Sequence, residues 1–342
     1  MHNDPQANPS IAVVIHCYKV TRHVVDVLRR IGPEVTRIYL IDDGCPEASG
    51  DHASRHCRDP RLRIVQHATN QGVGGAVMSG YSAAINDGMD IIVKIDGDGQ
   101  MDLALIAEFT GPIAEGRADY AKGNCFFFIN DLRAMPPVRI LGNAALSFMS
   151  KLSSGYWNIF DPANGYTAIH ADVARHLPLE AISRRYFFES DMLFQLYLLR
   201  AVVVDVPMQA HYADEVSNLR IRRIIGEFAV KHLRNFMRRI FYTYYLRDLS
   251  PGSLHLPVGL GIFGFGIGFG VHAWMRSVET GLAATAGTVM LAALPIMLGL
   301  QLLLAFLSQD MILVPTRPVS PALKIAGRSR QRPRSEDRRS NR

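Results

Sequence analysis

Two aspartates that lie two positions apart are the clearest candidates for chemistry in this 342-residue chain. They belong to the segment Lys94-Ile95-Asp96-Gly97-Asp98-Gly99-Gln100, which directly follows an apolar run at residues 91–93. Alternate residues of an extended segment share one face, so Asp96, Asp98 and Gln100 are expected to converge on one point. Carboxylate oxygens are preferred ligands of Mg²⁺ and Mn²⁺, and a cation held by so few protein groups usually takes phosphate oxygens as further ligands.

The same acidic segment is compatible with a turn, but not with a calcium-binding loop. Asp-Gly pairs form turns, so a polar turn after a buried strand is an alternative with no chemistry. A calcium-binding loop would require Gly at the sixth and Glu at the twelfth position from Asp96. The chain has Met101 and Ala107 there, which excludes that loop.

Four further polar clusters occur along the chain, and each could serve structure as well as chemistry. An Asp-Asp-Gly sequence also makes turns or caps helices, a glycine-rich segment also begins a helix, and an acidic pair is favoured at a helix start by the helix dipole. The clusters are Asp42-Asp43-Gly44, Asn70-Gln71-Gly72-Val73-Gly74-Gly75-Ala76, Asp161-Pro162-Ala163-Asn164-Gly165-Tyr166 and Phe188-Glu189-Ser190-Asp191.

Short β-branched runs alternate with helical patterns before residue 207, which predicts an α/β domain with a largely parallel sheet. The predicted strands are Ile11 to Cys17, Arg37 to Ile41, Leu62 to Gln66, Ile91 to Ile95 and Val202 to Val206, and the predicted helices are Val24 to Ile31, Gly72 to Asp87 and Leu103 to Ala114. Ligands bind at the carboxyl ends of such strands. The aspartates that follow the second and fourth strands are therefore expected to share one cavity.

Two long apolar stretches follow this domain. Between Leu256 and Met275 the only ionisable side chain is His272, and between Leu282 and Leu307 there is none. Each stretch can cross the ~30 Å hydrocarbon core as a helix, which predicts a membrane hairpin. A pair of buried core helices is the alternative. The hairpin predicts an integral protein of the cell inner membrane or endoplasmic reticulum. Basic residues flank both ends of the hairpin, so the positive-inside rule predicts that the large domain and both termini are cytoplasmic.

The net charge of +6 does not indicate a nucleic-acid partner. Lys324 to Arg342 carries eight basic and two acidic residues, which accounts for all of that charge. Such a tail beside a membrane is expected to be disordered and to meet anionic lipid headgroups. The predicted segments are a polar N-terminus at 1–10, the α/β domain at 11–217, juxtamembrane amphipathic helices at 218–253, the hairpin at 254–308 and the basic tail at 309–342.

Six glycines lie in the first apolar stretch and include a formal G-x-G-x-x-G match. No strand precedes this match, so a dinucleotide site is not indicated. Small residues of this kind let membrane helices pack closely, which is compatible with a homo-oligomer.

Taken in order, the five polar motifs resemble those of family 2 glycosyltransferases, particularly the polyprenyl-phosphate glycosyltransferases and dolichol-phosphate mannose synthases. The resemblance extends over about residues 11–217, and the hairpin is similar to that of the bacterial members. It implies a GT-A (Rossmann-like) nucleotide-sugar-binding domain and a metal-dependent enzyme. The implied reaction moves one sugar, with inversion, from a nucleotide-sugar to undecaprenyl or dolichyl phosphate at the cytoplasmic membrane face.

The resemblance also implies roles for individual residues. Nucleotide-sugar binding is implied for Asp42, Asp43, Asn70, Gly72, Asp96 and Gln100; Mg²⁺ or Mn²⁺ binding for Asp98 and Asp96; catalysis for Asp98, Glu189 and Asp191, with Asp191 as general base; and acceptor or sugar binding for Asp161, Asn164, Gly165, Tyr166 and Arg139.

The chain departs from the family pattern on the acceptor side. Thr167 stands where these enzymes often have a basic residue, and Asn143-Ala144 stands near the expected arginine for the lipid phosphate. Two alternatives therefore stay open, a lipid hydroxyl as acceptor and a catalytically silent scaffold that binds nucleotide-sugar. No Q-x-x-R-W motif follows Asp191, which argues against a processive polymer synthase.

Overall fold

The computed structural model describes residues 8–128, 137–209 and 221–331, and side chains at 137–139, 221–225 and 326–331 lie outside that description. Seven strands form one sheet in the order β3-β2-β1-β4-β6-β5-β7. They are β1 (Ile11–Cys17), β2 (Arg37–Asp42), β3 (Leu62–Gln66), β4 (Ile91–Asp96), β5 (Tyr120–Asn124), β6 (Thr167–His170) and β7 (Val203–Pro207).

The helices of the α/β part connect these strands and cover both faces of the sheet. They are α1 (Val24–Arg30), α2 (Ser49–His56), α3 (Val73–Asn86), α4 (Ile106–Ala114), α5 (Pro137–Ser154), α6 (Ala171–His176) and α7 (Phe188–Leu198). Val13 and Ile15 of β1 join one core with residues of α1 and α4. Val14 points to the other face, where Gly80 lets α3 approach so closely that an added Cβ would lie 2.2 Å from Val14 Cγ1.

The first four strands are parallel, as the alternating pattern predicts, and the second half of the sheet contains one reversed strand, β6. β6 runs antiparallel to both β4 and β5, and β5 is parallel to β7. The sequence pattern predicts neither β5 nor β6. β5 contains Lys122 and Gly123 instead of a β-branched run, and β6 has four residues, so neither gives a strong strand pattern.

The chain divides into two compact units whose boundaries differ from the predicted segments. One unit comprises Met1–Asn235 with Pro315–Arg342, and the other comprises Phe236–Val314. Helix α8 (Ile221–Phe241) contains the first boundary. A π-helical turn follows at Tyr242–Arg247.

The second unit contains α9 (Pro251–Thr280) and α10 (Ala286–Ile312), both long and apolar enough to cross a membrane. Pro251 stands at the first turn of α9, and Ser250 and Ser253 form a reciprocal capping box. The two helices pack through glycines, since a Cβ on Gly266 would lie 2.8 Å from Ile296 N and one on Gly299 would lie 2.6 Å from Phe263 N. This is the small-residue packing that the glycine pattern predicts.

The predicted disordered tail at 309–342 differs from the structure over much of its length. Residues to Ile312 continue α10, and Ser320–Gln331 form a further helix, α11. The buried carboxylate of Asp119 accepts hydrogen bonds from the main-chain nitrogens of Val319 and Ser320, each at 2.9 Å, and so fixes the start of α11. Residues 332–342 lie outside the described part.

Candidate functional site

The carboxyl ends of β2, β1 and β4 lie side by side, and the candidate acidic residues follow them. Register pairs Cys17 with Asp42 on one side of β1 and His16 with Asp96 on the other. The ends of the second and fourth strands therefore flank the end of the first. This is the sheet edge at which the α/β pattern predicts a ligand.

Asp96 ends β4 and is held by a buried lysine of the same strand. Lys94 Nζ lies 2.8 Å from Asp96 Oδ1, and the Lys94 side chain is 1% exposed. Burial opposes ionisation of Asp96, but the charge and hydrogen bond of Lys94, together with His16, bring its pKa below the usual value. The lowered pKa favours the ionised form of Asp96 at the carboxyl end of β4.

Asp98 and Gln100 lie in the tight turn after Asp96. The main-chain nitrogen of Gln100 donates to Asp98 Oδ1 at 3.0 Å, and Gly99 supplies a φ of +80°. All three polar side chains are partly exposed. Over the described residues, no group of three His, Cys, Asp or Glu side chains is arranged to hold a metal ion. Asp96 and Asp98 therefore suit a hard cation only if a ligand such as a diphosphate completes its coordination.

Asp42 has internal partners for both oxygens. Main-chain nitrogens of Cys45 and Gly50 donate to Oδ1 and Oδ2 at 2.8 and 2.7 Å, which fixes the turn after β2 and the start of α2. This is the turn and capping role that an Asp-Asp-Gly sequence can also serve.

Asp43 is fully buried and organises the glycine-containing loop. Main-chain nitrogens of Gln71 and Gly72 donate to its two oxygens at 2.8 Å, and His67 Nδ1 lies 2.8 Å from Oδ1. The carboxylates of Asp42 and Asp43 therefore accept hydrogen bonds from the protein's own main chain. They do not both face a shared cavity as free carboxylates. Their part in nucleotide binding stays a prediction.

The segment from Asn70 to Gly75 is shaped by close main-chain packing. Gly72 has a φ of +85°, and a Cβ there would lie 2.5 Å from the carbonyl oxygen of Arg184. Gly75 donates its main-chain N–H to the same carbonyl at 3.1 Å. The glycines join this loop to the segment before α7, and Asn70 is exposed beside it.

The predicted acceptor segment divides between site and core. Asp161 is buried, and its Oδ2 lies 3.4 Å from both Cys125 N and Asn164 Nδ2. Burial raises the pKa of Asp161 above its usual value. Tyr166 departs from the prediction, because its fully buried ring stacks on Phe109 at 4.0 Å between centroids and cannot line a site. Arg139 belongs to the residues whose side chains are outside the described part.

Gly165 lies against the Lys94–Asp96 pair. A Cβ on this residue would be 2.5 Å from Lys94 Nζ and 2.8 Å from Asp96 Oδ2. Lys122, on β5, donates a hydrogen bond to the carbonyl oxygen of Asn164, the preceding residue. The segment that contains Asn164 and Gly165 therefore reaches the acidic end of β4.

Glu189 and Asp191 have different surroundings in the first turn of α7. Asp191 is buried and accepts hydrogen bonds from Ser183 N at 2.8 Å and from Asn235 Nδ2 at 2.9 Å. Burial raises the pKa of Glu189 to about 7, against the opposing charges of Lys94 and Lys122. Glu189 thus interacts electrostatically with Lys94 and Asp96 at the end of β4.

Three residues of this region carry no motif that predicts a role: His16, Lys94 and Lys122. His16 Nε2 lies 3.9 Å from Asp43 Oδ2, and burial lowers the pKa of His16 although Asp96 opposes that shift. The two lysines interrupt otherwise apolar or small strand sequences and are each 1% exposed. A lysine at a position that the strand pattern buries is a signal that could have identified Lys94. No such signal marks Lys122, because the sequence pattern does not predict β5.

Comparison with known sequences identifies the family. A family model described as Glycosyl transferase family 2 matches residues 11–177. Undecaprenyl-phosphate mannosyltransferase of Micrococcus luteus is 31% identical over 214 residues, which are 60% of this chain and 84% of that protein. UDP-N-acetylglucosamine–dolichyl-phosphate N-acetylglucosaminyltransferase of Methanococcus voltae is 29% identical over 154 residues, which are 45% of this chain and 61% of that protein.

Solved structures support the same fold. Glucosyl-3-phosphoglycerate synthase of Mycobacterium tuberculosis, crystallised with Mn²⁺, UDP and phosphoglyceric acid, aligns with a TM-score of 0.52 at 16% identity over 68% of this chain and 78% of that chain. Mannosyl-3-phosphoglycerate synthase of Rubrobacter xylanophilus aligns with a TM-score of 0.53 at 15% identity over 71% and 77% of the two chains. At these identities the similarity establishes a GT-A-like fold alone. With the sequence comparisons, it follows that the chain belongs to glycosyl transferase family 2 and is a glycosyltransferase.

Proposed function

We propose that this glycosyltransferase moves a single sugar from a nucleotide-sugar to a polyprenyl phosphate, with inversion at the anomeric carbon. Two relatives have this acceptor class in their names, undecaprenyl phosphate in one and dolichyl phosphate in the other. Helices α9 and α10 are apolar enough to enter a bilayer, where such a lipid resides.

One observation carries the proposal: Asp96 and Asp98 stand at the carboxyl end of β4 in a chain with these relatives. The two carboxylates would hold Mg²⁺ or Mn²⁺, with diphosphate oxygens as further ligands. A fold relative crystallised with Mn²⁺ and UDP supports this assignment. The bound cation would stabilise the charge that develops on the departing diphosphate.

The chain's own residues would prepare the donor side for displacement. Lys94 holds Asp96 Oδ1, which fixes the direction of that carboxylate. An oxygen of the lipid phosphate then forms a bond to the anomeric carbon as the bond from that carbon to the diphosphate breaks. Because the attacking and leaving oxygens lie on opposite faces of the sugar, a single displacement inverts the configuration.

Glu189 is the proposed proton acceptor of the reaction. A doubly ionised lipid phosphate needs no base, whereas a singly protonated one must transfer its proton. A carboxyl group with a pKa of about 7 accepts a proton near neutral pH. Asp191, the general base implied by the family resemblance, already accepts two hydrogen bonds, so its proposed role is to position the start of α7.

The proposed reaction takes place at the cytoplasmic face. A hairpin of two crossings returns the chain to the side from which it enters the membrane. Basic residues precede the first span, including Arg238 and Arg247, and others follow the second span. The positive-inside rule therefore supports a cytoplasmic position for both flanks and for the α/β domain.

The test is a transfer assay with the purified full-length protein. A panel of labelled nucleotide-sugars is incubated with undecaprenyl or dolichyl phosphate, and the lipids are extracted. We expect label in the organic phase that is lost with a chelator and falls about 100-fold or more in Asp98→Asn. Asp26→Asn is the matched control, because its carboxylate on α1 is 75% exposed, and it should retain wild-type transfer.

Two outcomes would replace the proposal. Label on a lipid alcohol, but on no phosphorylated lipid, would indicate a hydroxyl acceptor. Nucleotide-sugar binding without transfer to any lipid would indicate a catalytically silent scaffold.

A further inference from the structure

Two buried lysines lie in one row across three neighbouring strands. Lys94 of β4 and Lys122 of β5 both stand opposite Thr167 of β6 in the sheet register. Residues paired in this way point to the same face of the sheet. Each lysine is 1% exposed, and a buried ammonium group requires partners that compensate for its lost hydration.

The two lysines have different partners. Lys94 Nζ lies 2.8 Å from Asp96 Oδ1 and 5.8 Å from the ring centre of Phe188, the first residue of α7. Lys122 donates to the carbonyl oxygen of Asn164. One lysine thus holds a side chain at the end of β4, whereas the other holds the main chain that leads into β6.

Gly165 brings the two contacts together. The space that a Cβ on this residue would need is occupied by Lys94 Nζ, at 2.5 Å, and by Asp96 Oδ2, at 2.8 Å. Asn164, whose carbonyl binds Lys122, is the adjacent residue. The distance between Asp96 and the 161–166 segment therefore depends on the buried ammonium groups of Lys94 and Lys122 and on the lack of a side chain at Gly165.

We infer that Lys94 and Lys122 are positioning residues with separate tasks, Lys94 for the donor side of the site and Lys122 for the acceptor side. The inference rests on the proposed function, in which Asp96 serves the nucleotide-sugar and the Asn164–Gly165 segment serves the acceptor. Lys94 fixes the carboxylate that faces the diphosphate. Lys122 fixes the main chain against which the acceptor phosphate and the sugar are placed.

A structural role alone gives a different expectation. If the lysines only satisfied the buried charges around them, loss of either one would lower stability and reduce every activity of the protein together. If the lysines have separate positioning tasks, substitution of Lys94 should change nucleotide binding, and substitution of Lys122 should change the kinetics with the lipid acceptor. The two hypotheses are therefore distinguished by comparing donor binding with acceptor kinetics in the same variants.

The experiment uses full-length protein in detergent and the variants Lys94→Met and Lys122→Met. Binding of UDP and of GDP is measured by calorimetry with and without Mn²⁺, and KM and kcat for undecaprenyl phosphate are measured separately. We expect Lys94→Met to weaken Mn²⁺-dependent nucleotide binding about tenfold or more, because a charge-assisted hydrogen bond is lost. Lys122→Met should change that binding less than about twofold and raise KM for the lipid about tenfold.

A second variant keeps the inference testable if a methionine variant does not fold. Gly165→Ala removes no charge, but its Cβ displaces the Lys94–Asp96 pair. It should weaken Mn²⁺-dependent nucleotide binding as Lys94→Met does. Lys122→Arg, which keeps a cationic donor to the Asn164 carbonyl, should recover part of the lost affinity for the lipid.

The outcomes separate this inference from the proposed function. Wild-type protein that neither binds a nucleotide nor transfers sugar would overturn the proposed function and this inference with it. Wild-type activity combined with unchanged nucleotide binding in Lys94→Met, or with equal losses on both sides in both methionine variants, would overturn the inference alone.

Discussion

Asn235 donates a hydrogen bond from its side-chain amide to the carboxylate of Asp191, with 2.9 Å between Nδ2 and Oδ1. Both side chains are buried, at 1% and 3% exposure. The second oxygen of Asp191 accepts the main-chain N–H of Ser183. The carboxylate is therefore fully engaged in joining residue 235 of α8 to the start of α7.

Asn235→Ala should lower the free energy of unfolding by about 1–3 kcal/mol, because it leaves a buried carboxylate oxygen without its donor. Thermal or urea unfolding in detergent measures the effect. Arg234→Ala is the matched control, since the neighbouring side chain is exposed, and it should stay within about 0.5 kcal/mol of wild type. Equal stability of the two variants would contradict the structural importance of the Asn235–Asp191 bond.

That bond also marks a limit of sequence reasoning. The family resemblance implies Asp191 as a general base, but the side chain that binds it lies 44 positions away on another helix. Local spacing does not determine which of two carboxylates on one helix turn faces a site. The bond from Asn235 on α8 to Asp191 depends on the rotation of α8 relative to α7, and the hydrophobic pattern of each helix leaves that rotation open.

The parallel strands could be predicted because each is a β-branched run followed by a helix. Strand β5 and the antiparallel strand β6 could not, because Tyr120–Asn124 and Thr167–His170 have little strand character of their own. The prediction for Tyr166 is wrong for a related reason. Tyr166 immediately precedes β6, whose pairing directs its ring into the core against Phe109.

Transfer should depend on the ionisation of Glu189. Its pKa of about 7 predicts that kcat/KM for a lipid phosphate rises as pH increases through about 7, since the ionised carboxylate accepts the proton. Glu189→Gln should lose the part of that rise that the carboxylate contributes and keep the part that comes from ionisation of the phosphate itself. A pH–rate profile of both proteins measures it, and an unchanged pH profile in Glu189→Gln would exclude this carboxyl as the acceptor.

The same group makes a prediction about stability. A carboxyl whose pKa is raised on folding, here from 4.5 to about 7, binds more protons in the folded state between those two pH values. Its contribution to the free energy of unfolding therefore falls as pH rises from about 4.5 to about 7 and is constant above that. Wild type should lose stability over this interval relative to Glu189→Gln. Urea unfolding at several pH values gives this difference, and parallel curves would contradict it.

Within the second unit, Arg239 and Asp310 form a buried ion pair. Arg239 Nη1 and Nη2 donate to the two carboxylate oxygens at 2.7 and 3.0 Å, and Tyr244 Oη donates to Oδ1 at 2.9 Å. Asp310→Ala should lower the free energy of unfolding by about 3–5 kcal/mol, because a buried guanidinium loses its counter-charge. Thermal unfolding of the detergent-solubilised protein measures the loss.

The double variant Arg239→Met/Asp310→Leu provides the control for that ion pair. Removing both charges avoids an unpaired buried ion, so the double variant should be more stable than Asp310→Ala. A double variant that is less stable would show that the charges do more than compensate each other. Arg238→Met, on an exposed neighbour, should leave the unfolding temperature unchanged.

Asp119 is a buried carboxylate that binds the start of the C-terminal helix, α11. It is fully buried and accepts three main-chain N–H groups, from Val202 at 2.8 Å and from Val319 and Ser320 at 2.9 Å each. Two of these donors come 200 and 201 positions later in the chain. One carboxylate therefore joins the residue that precedes β7 and the start of α11 to the residue that precedes β5.

Asp119→Asn should release α11 while the sheet remains folded. An amide offers one acceptor oxygen and places N–H donors where the carboxylate faced main-chain donors, so at least one of these N–H groups loses its partner. A loss of about 1–3 kcal/mol at this contact raises the open population of the segment about fivefold or more. Trypsin should then cleave after Lys324 correspondingly faster, as followed by intact-mass spectrometry, whereas Asp26→Asn should match wild type. Equal cleavage rates in all three proteins would mean that contacts other than Asp119 hold α11 in place.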